Sequence, residues 1–266
     1  VFSAPKKSGK TTLEAATAAW YGEEGDAWSE VYFIANSKEH ARSLGFAMLS
    51  EHLAQRGMVQ YKNEATYDNG SSISVLATKY STAAGGDPAV SLWDELWAYE
   101  TESHRRMWTE MTIPPTQRNP LKGIFTYAGY KATAVLLWEL YESIVLEGEP
   151  VPELIDIVDD KGRPVCWRKG KMFAYWDTVP RMPWQTKEYY EKQAKTPGMR
   201  PQEFLRLHRN KWATTEDPFC PIDWWDEAVA RGQEVGLVGP VIYTPDSPMA
   251  KYPLTLAVDA AAKYDS

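Results

Sequence analysis

The stretch VFSAPKKSGKTTLEAATAAW (residues 1–20) decides the fold. VFSA is short and apolar, as a buried strand end would be. Pro5 to Gly9 are small or basic. From Lys10 onward the residues favour a helix, with apolar positions at helical spacing. A strand, a tight loop and a helix whose N-terminus faces that loop form a phosphate cradle. Backbone N–H groups curl around the anion, a lysine reaches the β/γ-phosphates, and a hydroxyl ligates Mg²⁺. On this reading Ala4, Pro5, Lys6, Lys7, Ser8, Gly9, Lys10, Thr11 and Thr12 contact ATP, and Thr11 is also a metal ligand. Ala4 stands where such loops usually begin with glycine. The alternative is a lysine-rich turn that caps a helix.

Outward from this loop, strand-like and helix-like segments alternate. EVYFIAN (30–36) reads as a buried strand. Asn36-Ser37 offers N-caps for an amphipathic helix over KEHARSLGFAMLSEHLAQR (38–56). SSISVLAT (71–78) follows the turn signal DNG, and AVSLWDE (89–95) is a strand ending in two acids. TESHRRMWTEM (101–111) is helical, GIFTYAG (123–129) is a strand, and TAVLLWELYESIVLEG (133–148) is a helix closed by Gly148. This order predicts an α/β domain with a mainly parallel sheet and a ligand at the carboxyl ends of its strands.

Asp94 and Glu95 add the second chemical signal. An Asp at that strand end holds Mg²⁺ in phosphate-loop ATPases, and a neighbouring Glu is placed to deprotonate the attacking water. Kinases and G-proteins commonly lack that second acid, so the pair favours motor-type ATPases. Taken alone, it is also an ordinary strand end. Thr126 closes a strand whose end would lie near the γ-phosphate, where a hydroxyl could sense that group. It is equally a residue of good β-propensity in a buried strand.

The chain has 266 residues and is 44% hydrophobic, enough for one large domain and an addition. Twelve Trp and 15 Tyr imply rings at ligand or partner surfaces. A formal net charge of −7 argues against nonspecific coating of nucleic acid through the overall field. Basic residues gather at Lys161–Lys171 and Arg206–Lys211, where solvated faces are the plain expectation. Cys166 and Cys220 lie far apart and the four histidines are scattered, which disfavours zinc and a disulfide framework. Apolar runs such as AVLLW are too short to span a bilayer, so no membrane association is expected.

APKKSGKTTLEAATAAW, EVYFIANSKEHA, SLWDEL and IFTYAG together resemble the large terminase subunit of tailed bacteriophages. EFLRLHRNKWATTEDPFCPIDWWDEA is similar to the segment closing that family's ATPase domain. LTLAVDAAAKYDS (254–266) resembles the first strand of its ribonuclease-H-like nuclease domain. The resemblance implies a motor-type (ASCE) phosphate-loop ATPase with a helical lid, packaging double-stranded viral DNA into a procapsid. It implies a ring, commonly a pentamer, on the portal protein, a small terminase subunit as partner, and a place in the host bacterial cytoplasm. It makes Lys10 and Thr11 the loop lysine and metal-binding hydroxyl, Asp94 the Mg²⁺ acid, Glu95 the catalytic acid and Thr126 part of the coupling motif. Asp259 becomes the first ligand of two Mg²⁺ or Mn²⁺ ions in the nuclease.

The expected organisation is an ATPase core over 1–148, a lid over 149–231, a linker over 232–253 and the nuclease start over 254–266. The family's adenine-binding segment would precede Val1, and its remaining nuclease acids would follow Ser266. The resemblance also implies a basic residue reaching into the ATP site, often from the neighbouring subunit; Lys6, Lys7 and Lys79 are candidates, then Arg105 and Arg106. The rival readings are a helicase-type translocase, a small-molecule kinase and an inert module with a degenerate loop.

Overall fold

The computed structural model describes residues 1–36, 46–55, 59–61, 63–77, 88–214 and 222–234. The chain forms two compact units, Val1–Asp217 and Pro218–Ser266. In the second, the described element is the helix Ile222–Glu234, which runs past the expected start of the linker at Gly232. Ser37, Lys79, Cys220, Asp259 and the expected nuclease strand lie outside the described residues.

The first unit is built on a ten-stranded sheet. Its strands are β1 (Phe2–Ser3), β2 (Glu30–Ala35), β3 (Val59–Tyr61), β4 (Glu64–Thr66), β5 (Ser72–Ala77), β6 (Val90–Asp94), β7 (Leu121–Thr126), β8 (Glu149–Pro150), β9 (Cys166–Lys169) and β10 (Met172–Trp176). Their spatial order is β3-β4-β5-β2-β6-β7-β1-β10-β9-β8. The run from β5 to β10 is parallel, and the strands outside it pair antiparallel. The sheet continues past Gly148, where the sequence becomes rich in Pro and Gly. Those residues punctuate β8–β10, and β10 lies directly beside β1.

Two apolar layers follow from the alternation of side chains along each strand. Val31, Phe33 and Ala35 of β2, with Val90 and Leu92 of β6, share one core with Ala18 of helix α1 (Lys10–Glu24) and with Leu49 and Leu53 of α2 (Ala47–Gln55). Ile34 and Trp93, the intervening residues, belong to the other core. There they meet Met107 of α3 (Glu102–Glu110) and Leu136 and Leu137 of α4 (Val135–Tyr141). All five residues of β6 are buried, so the strand carrying the acid pair is fixed from both sides. Each Val, Leu, Ile, Phe or Met among them stabilises the fold by about 1.5–3 kcal/mol relative to exposure.

Close packing of α1 onto the sheet edge requires glycine at position 22. A Cβ there would sit 2.3 Å from the Tyr67 ring. Thr101 caps α3 and Thr186 caps α5 (Lys187–Ala194), each hydroxyl accepting a backbone N–H of the first turn. The last helix of the unit, α6 (Pro201–Arg209), starts on proline and ends on Asn210 in the left-handed region.

Candidate active site

The strand order sets the site. β7 lies between β1 and β6, with Ser3 opposite Thr126 and Asp94 opposite Phe125. The loop after β1 and the acids after β6 therefore flank the end of β7. The Ala4 N–H donates to the Thr126 carbonyl at 3.3 Å, and the Glu95 N–H donates to the Phe125 carbonyl at 2.8 Å.

The loop Ala4–Gly9 turns through two residues of positive φ, Lys7 at 70° and Gly9 at 77°. Ala4 is buried and has no positive φ, so a methyl group is tolerated where glycine is usual. Gly9 precedes α1, which has no side-chain cap and no acid in its first turn. A Cβ at Gly9 would meet nothing within 4 Å, so open space lies before the helix N-terminus. Uncapped N–H groups facing open space suit an anion. The loop is braced from outside: Trp184 Nε1 donates to the Lys7 carbonyl at 2.8 Å, and Gln185 Nε2 to the Lys6 carbonyl and Ser8 Oγ, both at 3.1 Å. Lys6 N–H donates to the Leu207 carbonyl of α6 at 2.7 Å.

Lys10 is buried, and its Nζ donates to the Ala4 and Pro5 carbonyls at 3.1 and 3.3 Å. Burial lowers its pKa, while the nearby carboxylates of Glu95 and Asp94 pull it back up. Both acids thus act on one ammonium. Successive residues of a strand would point to opposite faces, but Glu95 leaves β6 with φ 52° and ψ 53°. That left-handed turn is strained for a residue with a Cβ, and it is the local feature that lets the two acids serve one site. Glu95 Oε2 accepts Trp97 Nε1 at 2.8 Å. Thr11 is partly exposed and Thr12 exposed at the head of α1.

Thr126 is fully buried, and its Oγ1 donates to the adjacent Tyr127 carbonyl at 3.0 Å. Among the basic candidates, Lys6 and Lys7 are exposed on the loop. Arg105 pairs with Glu139 and Arg106 with Glu102.

Three further residues belong to this site and escaped the sequence reading. Glu14, one turn beyond Lys10 on α1, is fully buried. Burial, reinforced by Asp94 and Glu95, raises its pKa well above the usual carboxylate range. Its spacing from Lys10 was the available signal. Asn210 is completely buried and bonds to three strand ends. Arg206, expected on a solvated basic face, is only 5% exposed. Its Cζ lies 4.2, 4.8 and 5.4 Å from the ring centroids of Trp97, Tyr130 and Tyr127. The other basic stretch does behave as a solvated face: Arg163, Arg168 and Lys169 expose much of their side chains while pairing with Asp159, Glu149 and Glu147.

The donor set fits a nucleoside triphosphate with a divalent cation. One lysine and uncapped amides meet phosphate, Thr11 and Asp94 are hard oxygen ligands, and Glu95 remains as a base. Sheet order and loop together define a phosphate-loop α/β fold with the acid-bearing strand one strand removed from the loop strand.

Comparison narrows that class. No protein-family model matches the chain, and no curated protein matches it in sequence. Among solved structures the fold is that of phage large-terminase ATPase domains. The ATPase domain of the Thermus phage P74-26 large terminase aligns with a TM-score of 0.56 at 12% identity, covering 80% of this chain and 88% of that one. The bacteriophage HK97 large terminase aligns at 0.53 and 16% identity over 85% of this chain and 49% of its own. The large terminase of another thermophilic bacteriophage aligns at 0.52 and 11% identity, covering 80% and 48%. The chain spans about half the length of the last two proteins. Among the described residues, no helix is long and apolar enough to cross a membrane.

Proposed function

We propose that this chain is the ATPase part of a DNA-packaging motor that moves double-stranded viral DNA into a procapsid. The observation that carries the reading is the buried Lys10 ammonium bonded to the loop carbonyls of Ala4 and Pro5, with the carboxylates of Asp94 and Glu95 near enough to act on its charge. In this reading the loop amides and Lys10 hold the β/γ-phosphates of ATP, and Thr11 and Asp94 hold Mg²⁺. When bound, Mg²⁺, held by Thr11 and Asp94, would supply charge neutralisation to the phosphates. Glu95 accepts the proton of the attacking water, and the Trp97 indole N–H holds its second oxygen in place. Lys10, buried beside the Pro5 carbonyl and the Tyr127 ring, meets the negative charge that grows on the phosphoryl oxygens.

Coupling to DNA is assigned to Thr126, whose strand end lies between loop and acids. The resemblance to terminases adds the remaining proposals. The chain assembles into a ring, of five copies by analogy, on a portal protein in the host cytoplasm, with a small terminase subunit delivering the DNA. A nuclease domain begins with the strand at 254–266, in which Asp259 would be a ligand of one of two Mg²⁺ or Mn²⁺ ions. A basic residue from a neighbouring copy, with Lys6, Lys7 and Lys79 as candidates, completes the ATP site.

The test is phosphate release from ATP with Mg²⁺, with and without double-stranded DNA, beside an assay for phosphate transfer to small acceptors. Hydrolysis that DNA stimulates supports the motor. Phosphate transfer to a small acceptor would replace it with a kinase, and absence of both would leave an inert loop.

A further inference from the structure

Arg206 is a cation in a place that is costly for one. It is 5% exposed, and its Nε and Nη1 have no hydrogen-bond partner. No carboxylate among the described residues pairs with it. Its company is aromatic: Trp97, Tyr130 and Tyr127. Cation–π contacts return only part of what it costs to bury an incompletely bonded guanidinium. An apolar side chain would fill this aromatic box at lower cost. Stability alone therefore does not account for the arginine.

Its position does. Trp97, the ring nearest the guanidinium, is the residue whose indole N–H holds Glu95 Oε2. Tyr127 stacks on Trp97 with centroids 5.5 Å apart and planes 27° apart, and it carries Lys10 Nζ 5.0 Å from its centroid. The next residue on the same helix, Leu207, accepts the Lys6 N–H of the phosphate loop. One turn of α6 thus grips the loop through its backbone and the Glu95 arm through its side chain.

Resting on the ATPase reading above, we infer that Arg206 is a positioning residue: it fixes the Trp97 indole and thereby the Glu95 carboxylate relative to the phosphate loop, so that a shift of α6 changes hydrolysis. Arg206 acts through Trp97 and makes no contact with nucleotide in this account.

The experiment compares Arg206→Met, Arg206→Lys, Trp97→Phe and the Met/Phe double variant. Arg206→Met removes the cation and keeps the box filled. It should keep the wild-type melting temperature or raise it, leave KM for ATP within about twofold, and lower kcat about tenfold or more. Arg206→Lys keeps a cation over the indole and should regain part of that loss. In the Trp97→Phe background, Arg206→Met should cost less than about threefold further, because the path to Glu95 is already cut. A second readout is independent of turnover. The Trp97 indole N–H signal in ¹⁵N-tryptophan-labelled protein, assigned by its loss in Trp97→Phe, should shift in Arg206→Met. Independent, multiplying effects of the two substitutions, or an unmoved indole signal, would overturn the inference. A wild-type chain that does not hydrolyse ATP would remove the ATPase reading, while the indole signal would still decide whether Arg206 sets Trp97.

Discussion

Ser3 and Asn210 are joined across 207 residues of sequence by one hydrogen bond, Ser3 Oγ donating to Asn210 Oδ1 at 3.0 Å. The same amide oxygen accepts the Ala128 N–H at 2.7 Å, and Nδ2 donates to the Asp177 carbonyl at 2.9 Å. The ends of β1, β7 and β10 thus meet in a single side chain, at the C-terminus of the helix that also touches the loop. Asn210 has φ 48°, which asparagine tolerates better than most residues.

Asn210→Ala removes all three bonds and leaves a buried hydroxyl, an N–H and a carbonyl without that partner. It should destabilise the fold by about 2–4 kcal/mol, and Ser3→Ala by about 1 kcal/mol. Urea unfolding of both and of the double variant checks this. In the double variant the Ser3 effect should vanish; simple addition would show that the bond contributes nothing of its own.

Lys122 provides the pH dependence. Its Nζ donates to the Trp108 and Met111 carbonyls at 3.0 and 2.8 Å, beneath the Trp108 ring, and burial lowers its pKa from 10.5 to about 8. Between those values the unfolded chain keeps a proton that the folded one has released, so stability rises with pH. Below pH 8 both states are charged and the burial cost is fully present. Wild type should therefore gain on the order of 1–3 kcal/mol relative to Lys122→Met between pH 7.5 and 10. The comparison cancels buried tyrosines, which act in the opposite sense at higher pH. A flat difference in urea midpoints would mean that the ammonium sits at its ordinary value.

What the sequence disclosed was local. Gly9, Lys10 and Thr11 are contiguous, as are Asp94 and Glu95, and each set announces its chemistry at fixed spacing. The strands flanking them are apolar enough to be recognised without tertiary information. What stayed hidden depends on partners far along the chain. Nothing near Arg206 in the sequence distinguishes a boxed guanidinium from a solvated one, because its rings come from residues 97, 127 and 130. Trp184 and Gln185 bond to the phosphate loop from 177 residues away, which no local pattern in the sequence signals. The sheet beyond Gly148 was hidden by turn-forming residues, and β8 has only two residues to signal it. The three strand-end bonds of Asn210 likewise come from residues far along the chain.

Thr126→Val tests the coupling role. The valine keeps the shape of a fully buried strand residue and removes the hydroxyl that now donates to the Tyr127 carbonyl. The fold should lose about 1 kcal/mol and ATP hydrolysis should persist. If the chain drives the proposed packaging motor, DNA movement by the assembled protein should fail, because the hydroxyl proposed to respond to phosphate is gone. A packaging assay with normal translocation by this variant would return Thr126 to a purely structural part.

Lys10 and Glu95 should separate binding from chemistry. Lys10→Ala removes the one buried ammonium that Asp94 and Glu95 both face, and with it the charge that meets the phosphates. The remaining acids would then repel the nucleotide, so binding should weaken and turnover disappear. Glu95→Gln keeps the length of the side chain and an oxygen for the Trp97 N–H, so the left-handed turn and the indole contact survive. It removes only the ability to accept a proton. The nucleotide Kd should stay within about threefold of wild type while kcat falls about 10²–10⁴-fold. Fluorescent-nucleotide titration and single-turnover hydrolysis measure the two quantities separately. Hydrolysis at the wild-type rate by the Gln variant would remove Glu95 from the chemistry and leave the Trp97 contact as its whole role.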